Sequence, residues 1–331
     1  MANVETLWPR AELVGRPGGH DGRARAVDGR KLFREIISSR LAAGAGLHAA
    51  KFTLRAALAP VATLRWLRAL ERLRAQTGVE ELPFDLARKS GRAFLHHALG
   101  RAARIRMLEQ HYAQLLNALG PAFVSRILGG EQIPLAELTG KSGRRYRLVL
   151  GRDGLFSKEG ELVVSLFREA PVRRVVSLSF VVGALAAGGA ADLVIGGLQG
   201  GRSVHAKSDI GEATKDLWGL RPKNLVVDAA YGLAHRLGAA SLRAVSNRGH
   251  VLRGVGARGV RISADYDAFW RELGGALTGA GYYLLPNVRR RRAEAEVAPA
   301  KRKAWRARYA LLDDVTARIR GLSDVGAGEA D

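Results

Sequence analysis

At 331 residues the chain is long enough to bury a full core, as one large domain or two smaller ones. Its 47% hydrophobic and 25% charged content is ordinary for a globular protein, but 53 Lys+Arg against 31 Asp+Glu leave a formal net charge of +22. That balance selects anionic partners (nucleic acid, an acidic membrane surface, phosphorylated small molecules), or else reflects solvated faces in a proteome that uses arginine freely. With no cysteine, a disulfide framework, a thiol nucleophile and a cysteine-based zinc site are all excluded.

The opening stretch MANVETLWPRAELVGRPGG has no basic region followed by an apolar one, so no signal peptide is read from it. No run approaches the roughly 18 apolar residues that span a bilayer. The expected location is cytoplasmic, with a peripheral place at the inner membrane as the alternative. Residues 1–30 read as a flexible leader rich in Gly, Pro and Arg. From Lys31 to Gln76 the pattern is helical, broken at Pro60. In VATLRWLRALERLRA, Leu64, Leu67, Leu70 and Leu73 recur among Arg65, Arg68, Arg72 and Arg74. Such a basic amphipathic helix either packs on a core, the more frequent outcome, or lies on anionic lipid.

Helical pattern resumes over Arg92–Leu119 and is ended by Gly120-Pro121, with a short helix at Ala122–Leu128. His96, His97 and His111 fall in this part, without the spacing of a helical metal pair. From Arg144 the period becomes extended. Strands are expected at Tyr146–Leu150, Glu161–Phe167, Val175–Val182, Leu193–Leu198, Leu242–Val245 and Tyr282–Leu285. The fold class is α+β: an N-terminal helical region (31–140), then a mixed β-sheet with flanking helices (141–320) whose order is similar to the GNAT superfamily's, and a flexible tail over 321–331.

Chemistry concentrates in the strand–turn–helix–strand unit from Ser177 to Asn247. Its turn holds Gln199, Gly200 and Gly201, with Arg202, Arg221 and Lys223 nearby. Glycines let backbone N–H groups approach an anion, and a helix start at Pro222 favours negative charge. Neither P-loop nor dinucleotide spacing is present, and a strand bulge that needs small residues explains the same glycines. Acid–base candidates are the pairs Glu159/Glu161 and Asp265/Asp267, of which Glu161 and Asp265 are the selected catalytic residues; either aspartate also suits a helix cap. No metal site is proposed.

Several pieces together resemble one family. They are SLSF (Ser177–Phe180), IGGLQG (Ile195–Gly200), TKDLWGLRPKNLVVDA (Thr214–Ala229), VSN (Val245–Asn247), ADYDAFWRELGG (Ala264–Gly275), LLPN (Leu284–Asn287) and KRKAWRARYALLD (Lys301–Asp313). They look like the VirK/YbjX family of proteobacterial proteins, formerly a domain of unknown function, over about Lys31 to Ile319. The resemblance implies a role in virulence, antimicrobial-peptide resistance and cell-envelope maintenance, and no established reaction. Two readings follow. One is GNAT-like acyl transfer from acyl-coenzyme A or an acyl-carrier protein, whose acidic surface suits the basic charge. There, residues 195–201 hold the donor, Arg202, Arg221 and Lys223 meet phosphate, and Glu161 or Asp265 is the base. The other is a non-enzymatic adaptor that binds anionic lipid or an envelope protein through the basic helix and the Arg289–Arg292 run. Nucleic acid ranks third, since no recognised motif is present and aromatic content is 6%.

Overall fold

The computed structural model describes residues 28–201, 203–254, 265–289 and 291–322. The expected leader and tail, Arg202, and most of the loop before Asp265 lie largely or wholly outside them. Three helices begin the described chain: α1 (Gly29–Ala42), α2 (Gly46–Ala57) and α3 (Pro60–Thr77). Pro60 opens α3 in its first turn, where a missing N–H costs nothing. A second break, not foreseen from the pattern, falls at residues 43–45, where Gly44 adopts φ 67°. Trp66, Leu67, Leu70 and Leu73 bury one face of α3, so the leucine stripe packs on the core.

The short α4 (Phe84–Ala87) leads to α5 (Arg101–Leu128). At Gly120 (φ 82°, ψ 166°) the helix is kinked before Pro121, the place where the sequence marks its end. His96 and His97 precede α5 rather than lying on a helix. Leu95, at φ 61°, donates its N–H to the Lys158 carbonyl, and His96 bridges His250, so this backbone serves other loops.

Eight strands follow among the described residues: β1 (Ile133–Thr139), β2 (Arg145–Gly151), β3 (Leu162–Arg168), β4 (Arg173–Gly183), β5 (Asp192–Gly200), β6 (Leu242–Val245), β7 (Ala276–Leu277) and β8 (Tyr282–Leu284). They form one sheet in the order β1-β2-β3-β4-β5-β6-β8-β7. Every neighbouring pair is antiparallel except β5 and β6. That pair needs a crossover, which α6 (Ala206–Asp216) and α7 (Pro222–Arg236) supply. The protein is therefore α+β with a mixed sheet. Val175 to Gly183 is buried without interruption, so both faces of β4 are covered. Helices α5 and α7 both pack on it. The chain closes with α8 (Tyr266–Glu272) and α9 (Pro299–Arg320), which buries Leu312, Val315 and Ile319 and packs on α7.

Candidate functional site

Among the described residues, the sheet parts at its one parallel pairing. β5 and β6 are in register only through Leu193–Leu242, Val194–Arg243 and Ile195–Ala244, after which β5 runs on to Gly200. The parting coincides with a bulge. Against β4, Ser179 faces Gly197 and Phe180 faces Ile195, which leaves Gly196 as the extra residue. Glycine is required there, because a Cβ on Gly196 would lie 1.7 Å from the Glu159 carbonyl oxygen. At Gly197 a Cβ would lie 2.0 Å from Glu159 Oε2, so the carboxylate rests on the bulged strand.

Glu159 is 3% exposed. Gln199 Nε2 donates to both of its carboxylate oxygens, at 2.7 and 2.9 Å. His250 is also buried, with Nε2 3.4 Å from Glu159 Oε1. Its Nδ1 accepts the Leu252 N–H at 3.3 Å, while Nε2 is buried near Glu159 without a hydrogen bond to it among the described residues. Tyr266 begins α8 with its ring 5.5 Å from that of His250. Its hydroxyl crosses the gap and accepts the Leu198 N–H at 3.2 Å. Burial, reinforced by Glu159, raises the Tyr266 phenol far above its usual range, so it keeps its proton. Among the described residues no lysine or arginine pairs with Glu159. A buried carboxylate beside an imidazole and a protonated phenol can accept, hold and return a proton.

Two positions on, Glu161 enters a different environment. It is ion-paired with Lys89, accepts a 2.7 Å hydrogen bond from the Tyr112 hydroxyl, and has Arg152 Nε at 4.0 Å. Burial opposes its ionisation, but Lys89, Arg152 and His111 outweigh it and hold the carboxyl below the usual range. Lys89 Nζ also donates to the carbonyls of Ser157 and Gly160, which pins the loop carrying Glu159.

The remaining residues singled out in the sequence divide between two places. Arg221 precedes α7 without a side-chain cap, and Pro222 is in its first turn. Lys223 Nζ and Arg221 Cζ lie 5.7 and 6.0 Å from the centre of the Phe269 ring. Burial and then Arg221 lower the Lys223 pKa, and Arg221 is ion-paired with Glu272. One helix thus joins both places: α8 sends Tyr266 to Leu198 and Phe269 to the two cations. Asp265 caps α8, accepting from the Ala268 N–H and from Asn247 Nδ2, both at 3.0 Å. Asn247 Oδ1 in turn accepts the Tyr266 N–H, so this pair positions Tyr266. Asp265 and Glu161 have no partner in common. At Gly201 a Cβ would lie 2.3 Å from the Arg174 carbonyl, and at Gly200 it would lie 3.0 Å from Ile210 Cδ1. The chain's own atoms therefore account for the glycine-rich turn. In the basic run, Arg289 pairs with Asp228, Arg291 with Asp313 and Arg292 with Glu296.

Residues 45–321 match the family described as "Protein of unknown function (DUF535)". The chain belongs to this family. It is similar to "Uncharacterized protein YbjX" of Escherichia coli (strain K12), 32% identical over 267 residues that cover 80% of each chain. An "Uncharacterized protein" of Haemophilus influenzae is 28% identical over 204 residues, covering 62% of this chain and 66% of that one. No solved structure matches.

In this DUF535 chain the residues that sequence reasoning passed over are His250, whose SNRGH context reads as a plain loop, and Lys89, in an unremarked RKSG turn. Tyr266 stands within the Asp-Tyr-Asp that draws attention, but the pattern assigns weight to the acids. The tyrosine is the residue that reaches the parted strand.

Proposed function

We propose that the protein transfers an acyl group from a thioester to an amine, in a GNAT-like arrangement, at the parting of β5 and β6. The observation that supports this best is the Leu198 N–H, directed off the end of a three-residue parallel ladder beside a bulge and capped, among the described residues, by a phenol. Strand alternation puts the Gly200 N–H on the same open edge. In this reading the thioester arm lies along that edge, where backbone N–H groups are fixed hydrogen-bond donors. Arg221 and Lys223, at the uncapped start of α7, take the phosphate, which competes with Glu272 for Arg221. The donor is a coenzyme A thioester or an acyl-carrier protein.

The proton roles pass in this reading from Glu161 and Asp265 to Glu159 and Tyr266, with Asp265 positioning Tyr266 and Lys89–Glu161 holding the Glu159 loop. The amine nitrogen bonds to the carbonyl carbon and gives its proton to Glu159, and the C–S bond breaks. The Tyr266 hydroxyl donates a hydrogen bond to the departing thiolate, which takes up the proton held by Glu159 and so returns the carboxylate to its starting state. Gln199, half-buried at the mouth of the cluster, moves aside to admit the amine. The envelope, virulence and peptide-resistance role implied by the family resemblance belongs to the same proposal, with an amine-bearing envelope component as acceptor.

The test is thermal unfolding with coenzyme A, acyl-coenzyme A and acyl-carrier protein, at low and moderate salt. A thioester at a hundredfold excess over its Kd adds about 2.7 kcal/mol, a rise of several degrees. Lys223→Glu should abolish the rise. Glu159→Gln should keep it and lose transfer to amines. No rise with any thioester at low salt would sink the reading.

A further inference from the structure

Helix α2 is apolar on both sides. Ala49, Phe52 and Ala56 face inward and are buried. The opposite face carries Leu47 (68% exposed), Leu54 (63%) and Leu58 just past its end (73%). At 100° per residue these three, with exposed Ala50 and Ala57, fall within one arc of about 100°. Leu41, 58% exposed at the end of α1, leans toward the start of α2, since its Cδ2 lies 3.9 Å from where a Cβ on Gly46 would be. Val61, in the first turn of α3, is 82% exposed. Five of the eleven large apolar side chains that are exposed among the described residues thus occur in 21 consecutive positions. An outward arc of leucines, on a helix whose inward face is already buried, is normally covered.

The surrounding charge says by what. From Ile36 to Leu70 there is no Asp or Glu, against Arg40, Lys51, Arg55, Arg65 and Arg68. On the helical wheel Lys51 and Arg55 border the leucine arc, and among the described residues neither makes an ion pair with a carboxylate. The arginines of the 289–292 run that are described, by contrast, are already paired. Leucines bordered by cations that have no carboxylate partner among the described residues, in a stretch of chain without Asp or Glu, match an anionic bilayer. There the leucines enter the acyl boundary while Lys51 and Arg55 extend along the helix to reach lipid phosphates.

We infer that α2, with Leu41 and Val61 at its flanks, is a membrane-docking face that holds this protein on bilayers containing anionic phospholipid. The inference is independent of the acyl-transfer reading, since none of its residues belongs to the β5–β6 cluster.

The experiment is co-sedimentation of the full chain with vesicles of phosphatidylcholine alone and with about a third phosphatidylglycerol, with oligomeric state measured in parallel. The expected result is binding to the anionic vesicles only. Leu54→Ser/Leu58→Ser and, separately, Lys51→Glu/Arg55→Glu should each weaken partition by roughly tenfold or more. All four side chains are exposed, so the melting temperature of both variants should match the parent's. A Leu54→Trp variant should bind and show fluorescence quenched by brominated acyl chains. Failure of the parent to bind anionic vesicles would overturn the inference, as would undiminished binding by Leu54→Ser/Leu58→Ser. A self-association that the leucine substitutions abolish, without any vesicle binding, would overturn it in favour of a second copy of the chain.

Discussion

Glu159 and Glu161 stand two positions apart in one loop and meet opposite surroundings. Glu161 has Lys89, Arg152 and Tyr112 about it, a set that fixes charge and backbone. Glu159 has an amide and an imidazole and, among the described residues, no Lys or Arg partner. Beside the first cluster, His111 is fully buried and its Nδ1 accepts the Val182 N–H at 3.1 Å. Burial pushes its pKa down from 6.5 to about 4, with Lys89 and Arg152 acting in the same direction and Glu161 against them. The folded pKa is the lower one, so the unfolded chain takes up the proton first. The stability tied to His111 is complete above pH 6.5 and declines as pH falls toward 4, by an amount on the order of 3 kcal/mol. His111→Asn, which keeps an acceptor for Val182, should flatten the melting temperature between pH 7 and 4.5. An unchanged slope would remove His111 as the cause.

At the level of elements, the bulge in β5 carries the geometry, and its glycines are not equivalent. Gly196→Ala drives a Cβ into the Glu159 backbone, whereas at Gly200 the nearest atom is the flexible end of Ile210. The first substitution should cost about 3 kcal/mol or more, or abolish folding, and the second about 1 kcal/mol or less. Urea unfolding of the two variants distinguishes a backbone contact from a loose glycine-rich turn, since equal costs would contradict it. The same strand shows how far the sequence can be read. The runs at Val175–Val182 and Leu193–Leu198 are visible as strands because they are short, apolar and contain β-branched residues, and Leu242–Val245 matches β6 in full. β1 escaped because Pro134 argues against a strand, and an edge position is where proline is tolerated. The glycines at 196–201 mark the right place for a structural reason. Glu159 was visible as one of a pair, but its distinction from Glu161 depends on Lys89 and His250, which lie 70 and 91 positions from it and leave no local pattern.

For the whole molecule, connectivity divides the sheet unequally. β1 to β5 follow one another in sequence and in space, each antiparallel to the last, and α5 and α7 cover β4. β6, β8 and β7 join this block through only three register pairs, with Tyr282–Leu284 as the next rung outward. Helix α9 reaches back over α7 to β1, so the C-terminal end of the chain secures the meander more than the late strands. The basic surface follows the same division: α9 and the 289–292 segment spend much of their charge on internal partners, while α2 does not.

The short ladder between β5 and β6 has a kinetic meaning as well. A seam of three pairs can separate and re-form without disturbing the meander behind it, so the late strands and α8 should open at lower energy than the meander. Amide hydrogen exchange should then be faster at Ala244, Val245 and Tyr283 than at Leu178 and Val164, and equal protection would mean that the sheet opens only as a whole. The groups gathered at the seam would meet solvent, and any molecule arriving from it, at the rate set by that breathing.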